Sequence, residues 1–135
     1  MARLQVVAVA ARLPAWAETA CSEYARRMPK GYEVERIALK DESRLRTALP
    51  KSVRLVALDE RGRELTTLEF AKLLDAPRAF VIGGADGLSE ATKRDAEITL
   101  RLSAMTLPHA LAQLVLLEQL YRAATFLTGH PYHRA

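Results

Sequence analysis

The chain predicts a three-layer α/β fold, a mostly parallel sheet with helices on both faces. Three observations carry this. Strand-like and helix-like segments alternate from one end to the other, the order that builds a parallel sheet. The first segment, LQVVAVA, is aliphatic on both sides, as a strand buried on both faces must be. No repeat, low-complexity tract or linker interrupts the alternation, so residues 1–135 read as one domain, long enough to bury a core.

The elements follow in order. After LQVVAVA, Pro14 opens a helix through WAETACSEYARRM, which Pro29 stops. YEVERIAL alternates apolar and polar residues like a half-buried strand. DESRLRTAL is a short helix and VRLVALD a third strand, followed by the polar turn ERGRE. Thr66 and Glu69 form a capping box for the helix TLEFAKLLD. AFVIGG is a fourth strand ending in glycines, and Ser89 caps the short helix SEATKRDAE. ITLRLSAM is a fifth strand, and a long helix from Ala110 to about Leu127 closes the chain. Its polar residues Glu118, Gln119, Arg122 and Thr125 share one stripe. The remaining surface is apolar, which predicts burial on two sides, one of them against a second copy of the chain.

Composition narrows the class. Hydrophobic residues make up 50% and charged residues 27%, ordinary for a globular protein. The net charge is +4, most of it arginine, which favours bidentate contact with phosphate; an inert basic surface is equally open. Cys21 is the single cysteine, so no internal disulfide forms, a reducing cytoplasm fits, and Cys21 reads as a small core residue. Arg3 before LQVVAVAA imitates the start of a signal peptide, but the run is very short and reads equally as a buried strand. No stretch is long enough to span a membrane.

Three places carry potential chemistry. GGADGLS, Gly83 to Ser89, joins a strand to a helix, where glycines let the backbone approach a ligand. It matches neither the P-loop nor the dinucleotide fingerprint, and a plain tight connection explains it as well. LSAMTLPHAL, Leu102 to Leu111, offers peptide groups that no regular element consumes, with His109 near the helix start. The tail GHPYHRA gathers His130, Tyr132, His133 and Arg134. Pro131 separates the two histidines and no carboxylate or cysteine is near in sequence, so no metal site is expected.

FVIGGADGLS, LSAMTLPHALAQLVLLEQLYRA and the ending GHPYHR together resemble the ribosomal RNA large subunit methyltransferase H family, of the SPOUT superfamily of knotted methyltransferases. VVAVAARLPAWAETACSEYARRMP and LVALDERG match too, so the resemblance spans nearly the whole chain. It implies an α/β domain whose C-terminal segment threads a trefoil knot, which the general rule against knotted chains would not suggest. It implies a cytoplasmic homodimer that uses S-adenosylmethionine to methylate N3 of a pseudouridine. The target is the intersubunit stem-loop of 23S rRNA in the assembled ribosome, with no metal and no membrane. It places the cofactor on Leu58, Gly83, Leu102, Ser103, Ala104, Met105, Thr106 and Leu107. The catalytic candidates are His133 as proton acceptor, Arg134 as anion or phosphate contact and Tyr132 as a stacking surface, with His109 and Arg122 in support. Arg26, Arg27, Lys30, Arg61, Arg63, Lys93 and Arg94 are candidate phosphate contacts.

The chain departs from the family pattern in three places. Ala10 stands where a glycine is expected, Ala85-Asp86 replaces the usual proline-glutamate, and the segment from Lys40 to Ser52 is short. Two other readings compete. A non-catalytic ribosome- or RNA-binding factor on the same scaffold would not need intact cofactor loops. An unrelated small-metabolite enzyme, using the glycine turn for phosphate, would leave the tail unexplained.

Overall fold

A computed structural model describes residues 4–132. Five strands, β1 (Leu4–Val9), β2 (Val34–Leu39), β3 (Arg54–Glu64), β4 (Arg78–Ile82) and β5 (Ile98–Arg101), form one sheet in the order β2-β1-β4-β3-β5. Every neighbouring pair is parallel. The helices are α1 (Ala15–Arg26), α2 (Leu45–Ala48), α3 (Thr67–Ala71), α4 (Glu90–Asp95) and α5 (His109–Thr128). A 3₁₀ turn, Glu42–Arg44, leads into α2, and another, Lys72–Asp75, extends α3.

Strand alternation sends side chains to two cores. Leu4, Val6, Val56, Phe80 and Ile82 meet Cys21 of α1, Phe70 of α3 and Leu116, Leu117 and Leu120 of α5. Val7, Val9, Leu55, Ala57, Ala79 and Val81 face the other way, onto Leu45 of α2 and Leu88 before α4. The three expected layers are therefore present, with unequal covers: one face carries the three helices of the larger core, the other two helices of four and six residues. β1 is buried along its whole length, as its aliphatic run requires.

Local signals behave as their chemistry dictates. Thr66 Oγ1 accepts from Glu69 N–H at 3.1 Å and Glu69 Oε1 accepts from Thr66 N–H at 2.8 Å, the reciprocal capping box. Ser89 Oγ accepts from Thr92 N–H at the start of α4. Two expectations need correction. β3 does not end at Asp59 in a turn but runs to Glu64: Leu58 and Arg63 both lie opposite Leu100, so residues 59–62 loop out before pairing resumes. The Glu64–Arg101 ion pair at 2.7 Å fastens the resumed segment. Conversely, β5 stops at Arg101 instead of reaching Met105, because its partner has no residue left to pair beyond Glu64.

α5 is buried at Leu116, Leu117, Leu120, Ala123 and Ala124, while Leu111, Phe126 and Leu127 stay exposed. No helix among the described residues is long and apolar enough to cross a membrane.

Candidate active site

The site sits at the carboxyl ends of the strands, where a parallel sheet leaves its loops free to hold a ligand. A cleft of about 440 Å³ opens there, within the range of small-molecule sites. Its walls are Leu58 and Asp59 at the end of regular pairing in β3, the turn Gly83–Leu88 after β4, and the segment leaving β5 toward α5. Of the predicted cofactor residues, Leu58, Gly83, Leu102, Ser103, Met105, Thr106 and Leu107 line the cleft and Ala104 does not. His109 lines it too.

Each wall has a local cause. Gly83 must be glycine: a Cβ there would lie 2.6 Å from the Gly87 carbonyl carbon, so the turn closes only on a bare Cα. Gly84 is pressed on its other side, where a Cβ would lie 2.8 Å from the Ala10 carbonyl oxygen. Ala10 has φ +53°, the left-handed region that favours the glycine expected there. The β1–α1 loop is thus packed on the turn with strain at the contact. Residues 102–108 leave the sheet without forming ladder or helix, and Met105 N–H donates to Ser103 Oγ at 2.9 Å. Their remaining peptide groups have no ladder or helix to absorb them. Met105 is 80% exposed, the most open of the large apolar side chains among the described residues.

Asp59 and Glu60 also line the cleft and were not singled out from the sequence; VRLVALD reads as a strand and ERGRE as a turn, and the break in β3 puts the two at the cleft. Asp59 lies 3.7 Å from Lys93. His109 Nδ1 is 2.9 Å from the Gly83 carbonyl oxygen. A carbonyl can only accept, so Nδ1 carries the hydrogen.

The catalytic candidates divide. His133 and Arg134 lie outside the described residues. Tyr132 is described, and it packs far from the cleft. Its hydroxyl donates to Glu118 Oε2 at 2.9 Å, its ring meets Tyr121 edge-on at 4.6 Å, and the Arg122 guanidinium sits 5.1 Å from its ring centre. Burial, then hydrogen bonds with Tyr24 and Glu118, push its phenol well above the ordinary range, so it is neutral there. Arg122 also pairs with Glu118 at 2.7 Å. Glu118 is nine residues along α5 from His109, a rise of about 14 Å, and Tyr121 lies further still.

Of the candidate phosphate contacts, Arg26 and Arg27 pair with Glu23 at the far end of α1, and Lys93 pairs with Asp59 and Glu90. Arg61 belongs to the loop bulging from β3 beside the cleft.

Comparison with known proteins agrees with this geometry. A family model described as "Predicted SPOUT methyltransferase" matches residues 2–133. The chain is 44% identical to the ribosomal RNA large subunit methyltransferase H of Burkholderia mallei (strain SAVP1), covering 98% of this chain and 99% of that one; the B. pseudomallei (strain K96243) protein of the same name matches equally. Both alignments run over 155 positions, more than this chain has residues, so the relatives carry segments that it lacks. In fold, the chain is similar to a protein from Haemophilus influenzae Rd KW20 assigned to a methylase family, with a TM-score of 0.66 at 10% identity over 99% of this chain and 71% of that one. It is also similar to the SpoU methyltransferase AviRb from Streptomyces viridochromogenes, solved with AdoMet, with a TM-score of 0.53 at 17% identity over 87% and 59%. On its end-to-end match, the chain belongs to the ribosomal RNA large subunit methyltransferase H family of SPOUT methyltransferases.

Proposed function

We propose that this enzyme methylates N3 of a pseudouridine in the intersubunit stem-loop of 23S rRNA, acting in the cytoplasm on the assembled ribosome. In this reading it is a single-domain homodimer whose C-terminal segment threads a trefoil knot. The observation that carries the proposal is the end-to-end identity to proteins named ribosomal RNA large subunit methyltransferase H, together with a cleft built from the expected cofactor segments.

The residues fit the cofactor. Leu58, Leu100 and Leu102 give apolar wall for a flat ring, and the segment 102–107 gives main-chain donors and acceptors. S-adenosylmethionine supplies a methyl group on a sulfonium, already electrophilic, so the protein's work is binding, orientation and handling one proton. N3 of pseudouridine is an imide nitrogen and attacks only as its proton leaves. His133 accepts that proton and Arg134 steadies the developing anion.

The position of Tyr132 favours a shared site. Held on Glu118 and Tyr121, it lies toward the far end of α5 from its own cleft. A second copy, placed by the exposed apolar residues of α5, brings a tail to that cleft.

The test is transfer of labelled methyl from S-adenosylmethionine to ribosomes lacking the modification, with isolated large subunits alongside. Label at the stem-loop pseudouridine in whole ribosomes supports the proposal. Measurable cofactor binding with no label anywhere would sink it in favour of a non-catalytic binding factor.

A further inference from the structure

The shortened segment 40–52 looks remote from the cofactor, yet one of its side chains ends on the cofactor turn. Glu42 crosses to the far end of GGADGLS. Its two carboxylate oxygens accept from Ser89 N–H, both at 3.1 Å, and Oε2 accepts from Ser89 Oγ at 2.6 Å. Thr92 Oγ1 donates to the same oxygen. At the near end, His109 Nδ1–H donates to the Gly83 carbonyl, and its Nε2 is buried without a partner among the described residues. Within the turn, the main chain contributes the Gly87 N–H to Gly84 carbonyl bond at 3.0 Å.

We propose that Glu42 and His109 are positioning residues that set the cofactor turn from its two ends. The inference rests on the reading of this cleft as the S-adenosylmethionine site. A site made largely of main-chain groups is only as accurate as the loop carrying them. This loop is short on bonds of its own, and its two anchors come from residues 26 and 47 positions away. The Glu42 carboxylate suits its place, beside the amide groups that open α4. Burial works to raise its carboxyl, and the hydrogen bonds from Ser89 and Thr92 outweigh that and hold it below the ordinary range. For His109, the hydrogen on Nδ1 and the enclosed Nε2 describe a ring that holds a carbonyl, not one that receives a substrate's proton.

The experiment measures affinity for S-adenosylmethionine by calorimetry, together with KM, kcat and melting temperature, in Glu42→Ala, Glu42→Gln, His109→Ala, His109→Gln and His109→Asn. An asparagine amide nitrogen falls near the place of Nδ1, and a glutamine nitrogen near Nε2. His109→Asn is therefore expected to stay within about twofold of the parent, and His109→Ala and His109→Gln to lose about tenfold. Glu42→Ala loses a similar factor and Glu42→Gln less, with the loss in KM for the cofactor and kcat kept at saturation. Should Glu42→Ala fail to fold, Glu42→Gln and the histidine series carry the test. Unchanged affinity in folded Glu42 and His109 variants overturns the proposal, as does equal loss in His109→Asn and His109→Gln. If the parent binds no S-adenosylmethionine, the cofactor reading fails and takes the clamp with it. If affinities shift as expected but no RNA is methylated, the clamp stands and the rRNA reading falls.

Discussion

The two ends of the sheet are built from different materials. At the amino ends of the strands, charge is neutralised in fixed pairs. Arg78, 5% exposed at the start of β4, donates to Glu97 at 2.7 Å, to Asp75 at 2.7 Å and to the Leu73 carbonyl at 2.6 Å, and Arg54 at the start of β3 reaches the same Glu97. The tail residue Tyr132 is stored at the C-terminal half of α5, against Tyr121, which itself meets Tyr24 near the end of α1. At the carboxyl ends, the chain spends glycine, a left-handed alanine and unpaired peptide groups on a cleft. One end holds the fold together and the other leaves an open cleft. α5 runs between them, about 30 Å for its 20 residues, and separates the cleft from Tyr132.

That division is breakable at either end. Gly83→Ala forces a methyl into the Gly87 backbone and is expected to weaken cofactor binding by at least about a hundredfold, read by calorimetry, with little change in melting temperature. Glu97→Ala should do the reverse, costing about 2 kcal/mol in chemical denaturation by leaving Arg78 underpaired, while cofactor affinity holds. Arg78 keeps the Glu97 carboxyl below the ordinary value of 4.5. A carboxyl depressed in the folded state stabilises above its unfolded pKa, and that stability is lost as pH falls through the folded value. Stability should therefore decline below about pH 4.5, and Glu97→Gln should flatten that acid limb in a pH series of melts. Tyr132→Phe removes one hydrogen bond to Glu118 and should cost about 1 kcal/mol at the amino end, again without touching the cleft. The smallest effect belongs to Ala10→Gly. Relief of the left-handed strain, less the added chain entropy, should raise stability by about 0.5 kcal/mol, visible as a slightly higher melting temperature.

How much of this was legible beforehand follows the same division. Signals that act over a few residues were readable: the aliphatic run of β1, the Thr66–Glu69 box and the glycines after β4; the missing glycine at Ala10 came from the family resemblance. Seven of the eight residues that the family resemblance assigned to the cofactor line the cleft. Ala104 does not line it. The continuation of β3 past Asp59 was not legible, because its pairing depends on Leu100 and Arg101, far downstream. Glu42 on Ser89 and Tyr132 on Glu118 are side-chain contacts across 47 and 14 positions, to which no periodicity points. The three-layer expectation held, while the unequal helix cover of the two faces came from tertiary packing alone.

The most direct measurement mixes two inactive proteins. Gly83→Ala lacks a working cleft and His133→Ala lacks the proton acceptor, and each alone is expected to leave ribosomes unlabelled. If tails serve the partner's cleft, unfolding and refolding the two together forms mixed dimers with one intact site, and methyl transfer should return to about a quarter of the parent level. No activity above the separate variants would contradict the shared site, and the tail would then have to leave Glu118 and cross to its own cleft.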